Sequence, residues 1–99
     1  MRIIGTRTGA FEVRDVANLR ALTVECTDPG TPELMLLEHG LGWIDGDHAW
    51  LNIEALERIC GPQGQRWRDS YAEMIGYARA QGWIDRADAY VRAHIERSA

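Results

Sequence analysis

The chain has 99 residues, enough for one domain, because a second core rarely appears below about 150 residues. With 45% hydrophobic and 26% charged residues it lies in the globular range and away from the composition of disordered chains. The net charge of −4 argues against nucleic-acid binding, and no run approaches the roughly 20 apolar residues of a membrane span. We therefore expect a single soluble domain over residues 1–99, located in the cytoplasm.

The N-terminal third predicts a hairpin followed by two helices. MRIIG and AFEV flank the polar TRTG and are typical of two short strands around a turn. Asp15 precedes VANLRALTVEC, whose apolar residues recur at helical spacing, so a first helix is predicted over about 16–26. The segment TDPGTPE ends that helix and begins a second, ELMLLEH, which Gly40 stops.

The central segment GWIDGDHAWL predicts a second hairpin with its turn at residues 46–47, because glycine in the first central position suits a type II′ turn. That register places Asp45 opposite His48 and Trp43 opposite Trp50. Since side chains alternate across a strand, these four residues are expected on one face, with the aliphatic residues of the hairpin on the other.

Three more helices are predicted in the C-terminal half. Asn52 precedes IEALERIC as a capping residue, and QRWRDSYAEMIGYARAQ has an apolar stripe that ends at Gly82. The apolar residues of RADAYVRAHIERS also recur at helical spacing, with Asp85 as the cap. The predicted fold class is therefore α+β, with about five short helices and one or two antiparallel β-hairpins in a single small domain.

The hairpin also carries the side chains that are the main candidates for catalysis or metal binding. A carboxylate at Asp45 can orient and charge the imidazole of His48, as a general base requires, but the same pair can simply secure a tight turn. The second interpretation is favoured because no nucleophile or oxyanion motif accompanies the pair. Glu38, His39 and Asp47 add to a cluster of metal-binding residue types, yet no recognised metal motif is present. We predict no catalytic residue, no metal and no cofactor.

The two tryptophans suggest a contact surface. If the other face of the hairpin packs on helices, both indoles face outward, and another segment of the chain, a second subunit or a ligand must cover them. We expect a small protein-interaction or accessory module that forms a homodimer or binds a protein partner through Trp43, Asp45, His48 and Trp50. One alternative is a small enzyme or small-molecule-binding protein with a pocket near the 43–50 hairpin. A weaker alternative is a nucleic-acid-binding regulator that uses the arginines of the helix after residue 65.

Overall fold

A computed structural model describes residues 1–5, 11–26 and 40–97, and within them it shows a six-stranded mixed sheet. The strands are β1 (Arg2–Gly5), β2 (Phe11–Arg14), β3 (Thr23–Cys26), β4 (Gly42–Asp45), β5 (His48–Asn52) and β6 (Tyr90–Arg97). Their order across the sheet is β2-β1-β3-β6-β5-β4. β3 runs parallel to both of its neighbours, and every other pair is antiparallel.

Two helices in the described part of the chain connect β5 to β6, namely α1 (Ile53–Ile59) and α2 (Gln65–Ala80). The capping role predicted for Asn52 is confirmed, since its side-chain oxygen accepts a hydrogen bond of 2.9 Å from the backbone N–H of Ala55. This bond satisfies one of the amide groups that the first turn of a helix leaves without a partner. The cap therefore fixes the point at which the strand becomes a helix.

The predicted stop of α2 at Gly82 is also confirmed. Gly82 takes a φ of +79°, which favours glycine. Its N–H donates to the carbonyl of Arg79, and the N–H of Trp83 donates to the carbonyl of Ala78 at 2.9 Å. These are the two hydrogen bonds of a Schellman motif, so the chain leaves the helix in a fixed direction.

The core lies between the two helices and one face of the sheet. Strand residues on this inner face are almost completely buried, and they alternate with exposed or half-buried residues on the outer face. The core residues of the strands are Ile3, Val24, Ala49, Leu51, Val91, Ala93 and Ile95, and those of the helices are Ala55, Leu56, Trp67, Tyr71, Ile75 and Ala78. The sheet and helices thus form two layers, and the outer face carries mainly polar and aromatic side chains.

The predicted fold class of about five helices with one or two hairpins is wrong. The structure has two helices and a six-stranded mixed sheet in the residues that it describes. The N-terminal hairpin is confirmed as β1 and β2, and the central hairpin as β4 and β5. The predicted helix ELMLLEH lies outside the described residues.

The first predicted helix, over 16–26, is instead a series of turns followed by β3. Val16 and Leu19 do pack against the core, as the helical spacing suggested, but they do so from irregular backbone. The indole N–H of Trp67 donates to the carbonyl of Val16 at 2.8 Å, which fixes this segment against α2. Thr23 and Val24 are β-branched, and Val24 is fully buried in a strand with a parallel partner on each side.

The last predicted helix is β6. Val91, Ala93 and Ile95 are buried at a spacing of two, because β6 lies inside the sheet between β3 and β5. Asp85 is therefore not the predicted helix cap. Its side chain accepts hydrogen bonds from the N–H groups of Ala89 and Tyr90 at 2.9 and 3.0 Å and so stabilises a tight loop that leads into the strand.

Candidate functional site

The central hairpin has the predicted register. Trp43 lies opposite Trp50, and Asp45 lies opposite His48. Gly46 has a φ of +63° whereas Asp47 does not have a positive φ, which agrees with a type II′ turn. All four predicted site residues therefore share the outer face of the sheet.

The two tryptophans are part of a three-membered aromatic cluster formed by Trp43, Trp50 and Tyr90. The Trp43 and Trp50 ring centroids are 6.5 Å apart with an interplanar angle of 28°, and the Trp43 and Tyr90 centroids are 4.6 Å apart. Tyr90 could not be placed in this cluster from the sequence, because the apolar spacing of its segment predicts a helix. Trp43 remains 39% exposed even with both contacts, so the cluster presents an indole at the edge strand β4.

The expected contact between Asp45 and His48 is not formed in the structure. Asp45 instead accepts a long hydrogen bond of 3.4 Å from the indole N–H of Trp50. The His48 ring faces the ring of His94, with centroids 6.3 Å apart, because these residues are paired across β5 and β6. The arrangement brings two imidazoles together and leaves the carboxylate beside the aromatic cluster.

The other half of the outer face, on β1, β2 and β3, is covered by ion pairs. Arg2 makes two hydrogen bonds to the carboxylate of Glu25, at 2.8 and 3.0 Å, and a third of 3.4 Å to Asp15. These contacts raise the pKa of Arg2, the hydrogen bond to Glu25 being the main cause. Arg14 pairs with Glu12 at 3.1 Å. Charges in this half neutralise one another, which is typical of a solvated surface.

A cleft of about 940 Å³ opens beside β6. Residue 17, residues 19–23, one side of α2 and Trp83 form its walls. His48 lines it as well, and so do Arg92 and His94 from β6. Of the four predicted site residues only His48 reaches this cleft, and the other three belong to the aromatic surface.

Cys60, Trp67 and Tyr71 are part of the core. Burial raises the pKa of the Cys60 thiol to about 11, so this cysteine is a protonated core residue. Trp67 and Tyr71 are buried and stacked on each other, with centroids 5.1 Å apart, and so are not available to stack on nucleic-acid bases. Within residues 1–5, 11–26 and 40–97, no three metal-binding side chains are close enough to hold an ion. Glu38 and His39 lie outside those ranges.

Comparison with family models, with curated proteins and with solved structures finds no match for this chain. A search of the described residues for a helix long and apolar enough to cross a membrane also finds none. The geometry of the outer face and of the cleft is therefore the basis for a functional proposal.

Proposed function

We propose that this protein is a small interaction module that self-associates through the aromatic cluster on β4, β5 and β6. The observation that supports this proposal is the exposure of Trp43, which is 39% although the ring already contacts Trp50 and Tyr90. Tryptophan and tyrosine are enriched at protein interfaces, where a few buried rings supply most of the binding free energy. A second copy is the proposed partner.

The contrast between the two halves of the outer face supports this location. Arg2 and Arg14 have acidic partners within the β1, β2 and β3 half, so burial of that half would require the removal of water from several charges. The aromatic half presents indole and phenol rings instead. Its rings lie next to β4, the last strand in the sheet order, so a second copy can approach from the edge as well as from the face.

The exposed part of Trp43 sets the scale of the interaction. An exposure of 39% corresponds to about 100 Å² of a side chain with a surface of about 250 Å². At about 25 cal/mol per Å², burial of that area contributes about 2.5 kcal/mol per copy. In a symmetric dimer both copies contribute, about 5 kcal/mol together, so the loss of this ring weakens association by about several thousandfold.

Sedimentation velocity over a range of protein concentrations tests the proposal. We expect the unaltered protein to form a dimer, and a variant with both Trp43→Ser and Trp50→Ser to remain a monomer with nearly unchanged helical circular dichroism. Tyr77→Ser is the matched control, since Tyr77 is a 60% exposed aromatic residue on α2, outside the cluster. The proposal is wrong if the unaltered protein is monomeric at every concentration, or if the double variant is as dimeric as the parent.

The cleft beside β6 favours a second candidate function, the binding of a small molecule. A volume of about 940 Å³ is within the range of ligand pockets, and His48 and Arg92 supply polar groups at its surface. A thermal-shift screen with a panel of metabolites distinguishes this candidate from the first, because a ligand that binds the folded state raises the unfolding temperature. An exposed dimer surface alone gives no such shift.

A further inference from the structure

The cleft lies beside β6, at the point where the backbone of β6 stops hydrogen-bonding to one chain segment and begins hydrogen-bonding to another. The N–H of Arg92 donates to the carbonyl of Trp83 at 2.9 Å, whereas the N–H of His94 donates to the carbonyl of Leu22 at 3.4 Å. The chain segments that contain Trp83 and Leu22 both line the cleft, as does Ala93, which lies between the two attachment points on β6. The cleft therefore lies beside β6 between two backbone attachment points of the sheet.

One part of the cleft is lined by apolar and aromatic side chains. Met74 and Ala78 of α2 line it together with Ala93 of β6. Tyr77 and Trp83 meet edge to face, with ring centroids 5.9 Å apart and an interplanar angle of 72°. Two rings at this angle form a corner against which a planar apolar group can stack.

The polar part of the cleft has an excess of positive charge. Arg20 and Arg92 line it, against the single carboxylate of Glu73, and the imidazoles of His48 and His94 lie on the same side as Arg92. The guanidinium carbon of Arg92 is 5.9 Å from the centre of the Trp83 ring. Arg92 makes no ion pair with any residue that the structure describes, although it is only half-exposed.

We propose that the cleft binds a small planar carboxylate, such as an aromatic acid, whose ring stacks at Tyr77 and Trp83 and whose carboxylate pairs with Arg92. This inference rests on the second candidate function and specifies the class of ligand. A guanidinium presents a planar fork of donors that matches a carboxylate in a bidentate pair. Contact of Arg92 with the Trp83 ring orients that fork beside the apolar corner.

The test uses two probes of nearly equal shape, 2-naphthoate and 2-naphthamide, with binding measured by isothermal titration calorimetry and by quenching of tryptophan fluorescence. We expect naphthoate to bind more tightly than naphthamide. Arg92→Gln is expected to weaken naphthoate binding by about tenfold to a hundredfold, because hydrogen bonds to a charged group are lost. The same variant is expected to weaken the binding of naphthamide much less, because the neutral amide makes no charge-assisted hydrogen bond with Arg92.

Arg66→Gln is the matched control, since Arg66 is an exposed arginine on α2 that does not line the cleft. It should change neither affinity. Equal binding of the two probes by the unaltered protein overturns the preference for anions while the cleft remains a binding site. If neither probe binds, both the ligand class and the binding function of the cleft are overturned. The comparison of probes on the unaltered protein stands even if Arg92→Gln fails to fold.

Discussion

Gly42 is the position where a single methyl group should disturb the hairpin most. A Cβ atom at Gly42 would lie 1.7 Å from the carbonyl oxygen of Trp50, and real Cβ atoms do not approach closer than 3.0 Å. The backbones of β4 and β5 must then separate by about 1.3 Å, the difference between these distances. Gly42→Ala is therefore expected to displace the strand that carries Trp43.

The expected loss of stability in the Gly42→Ala variant follows from a neighbouring hydrogen bond. The N–H of Asn52 donates to the carbonyl of Leu41 at 2.6 Å, and a separation of about 1.3 Å breaks this bond. A lost hydrogen bond and a strained backbone at a φ of +151° together cost about 2 to 4 kcal/mol. Gly46→Ala is the control, because Gly46 also has a positive φ but has no atom within 4 Å of an added Cβ.

Urea unfolding, followed by tryptophan fluorescence and circular dichroism, measures the free energy of unfolding of both variants. We expect Gly46→Ala to lose about 1 to 2 kcal/mol, which is the cost of the positive φ alone. Gly42→Ala should lose clearly more and should also reduce self-association in sedimentation. Equal losses of stability in the two variants would show that close strand contact does not control the hairpin.

Three more predictions concern the core. Tyr71→Phe should lower the free energy of unfolding by about 0.5 to 1.5 kcal/mol in urea titrations, because the hydrogen bond of 2.7 Å that the Tyr71 hydroxyl donates to the carbonyl of Ile53 would be lost. Leu56→Ala should cost about 2 to 5 kcal/mol in the same assay, since Leu56 is fully buried. In a Cys26→Ser background, Cys60 should react with a thiol reagent at pH 8 at least about a hundredfold more slowly than a free thiol, because a pKa of about 11 leaves little thiolate. Rapid reaction would contradict the buried position. Because burial raises the pKa of Cys60, folding favours the protonated thiol. The stability that this provides is fully present below the pKa of the unfolded thiol and is lost as the pH rises towards 11.

The parts of the fold that depend on neighbouring residues could be predicted from the sequence. The hairpin at Gly46 depends on one turn, the start of α1 on the cap at Asn52, and the end of α2 on Gly82. Each signal acts over a few residues, so no knowledge of the rest of the chain was required. The face shared by Trp43 and Trp50 followed directly from the register.

The parts that depend on distant partners could not be predicted. β3 and β6 are strands because each lies between two other strands, and the apolar residues of their sequences fit a helix as well as a strand. Val91 and Ile95 are spaced by four, which suits a helical stripe, and only the burial of Ala93 between them reveals the alternation. The same error concealed the placement of Tyr90, Arg92 and His94 on the outer face, and with it most of the cleft.

The position of β6 makes it the strand that joins the two parts of the sheet. It is the last of the described strands in the chain, yet it lies in the middle of the sheet and joins β3 to β5. Without it, β1 to β3 and the β4–β5 hairpin would be two separate fragments with exposed edges. Tyr90 of the aromatic cluster and Arg92 of the cleft both lie on β6, so a change that displaces this one strand is expected to disrupt both proposed binding surfaces together.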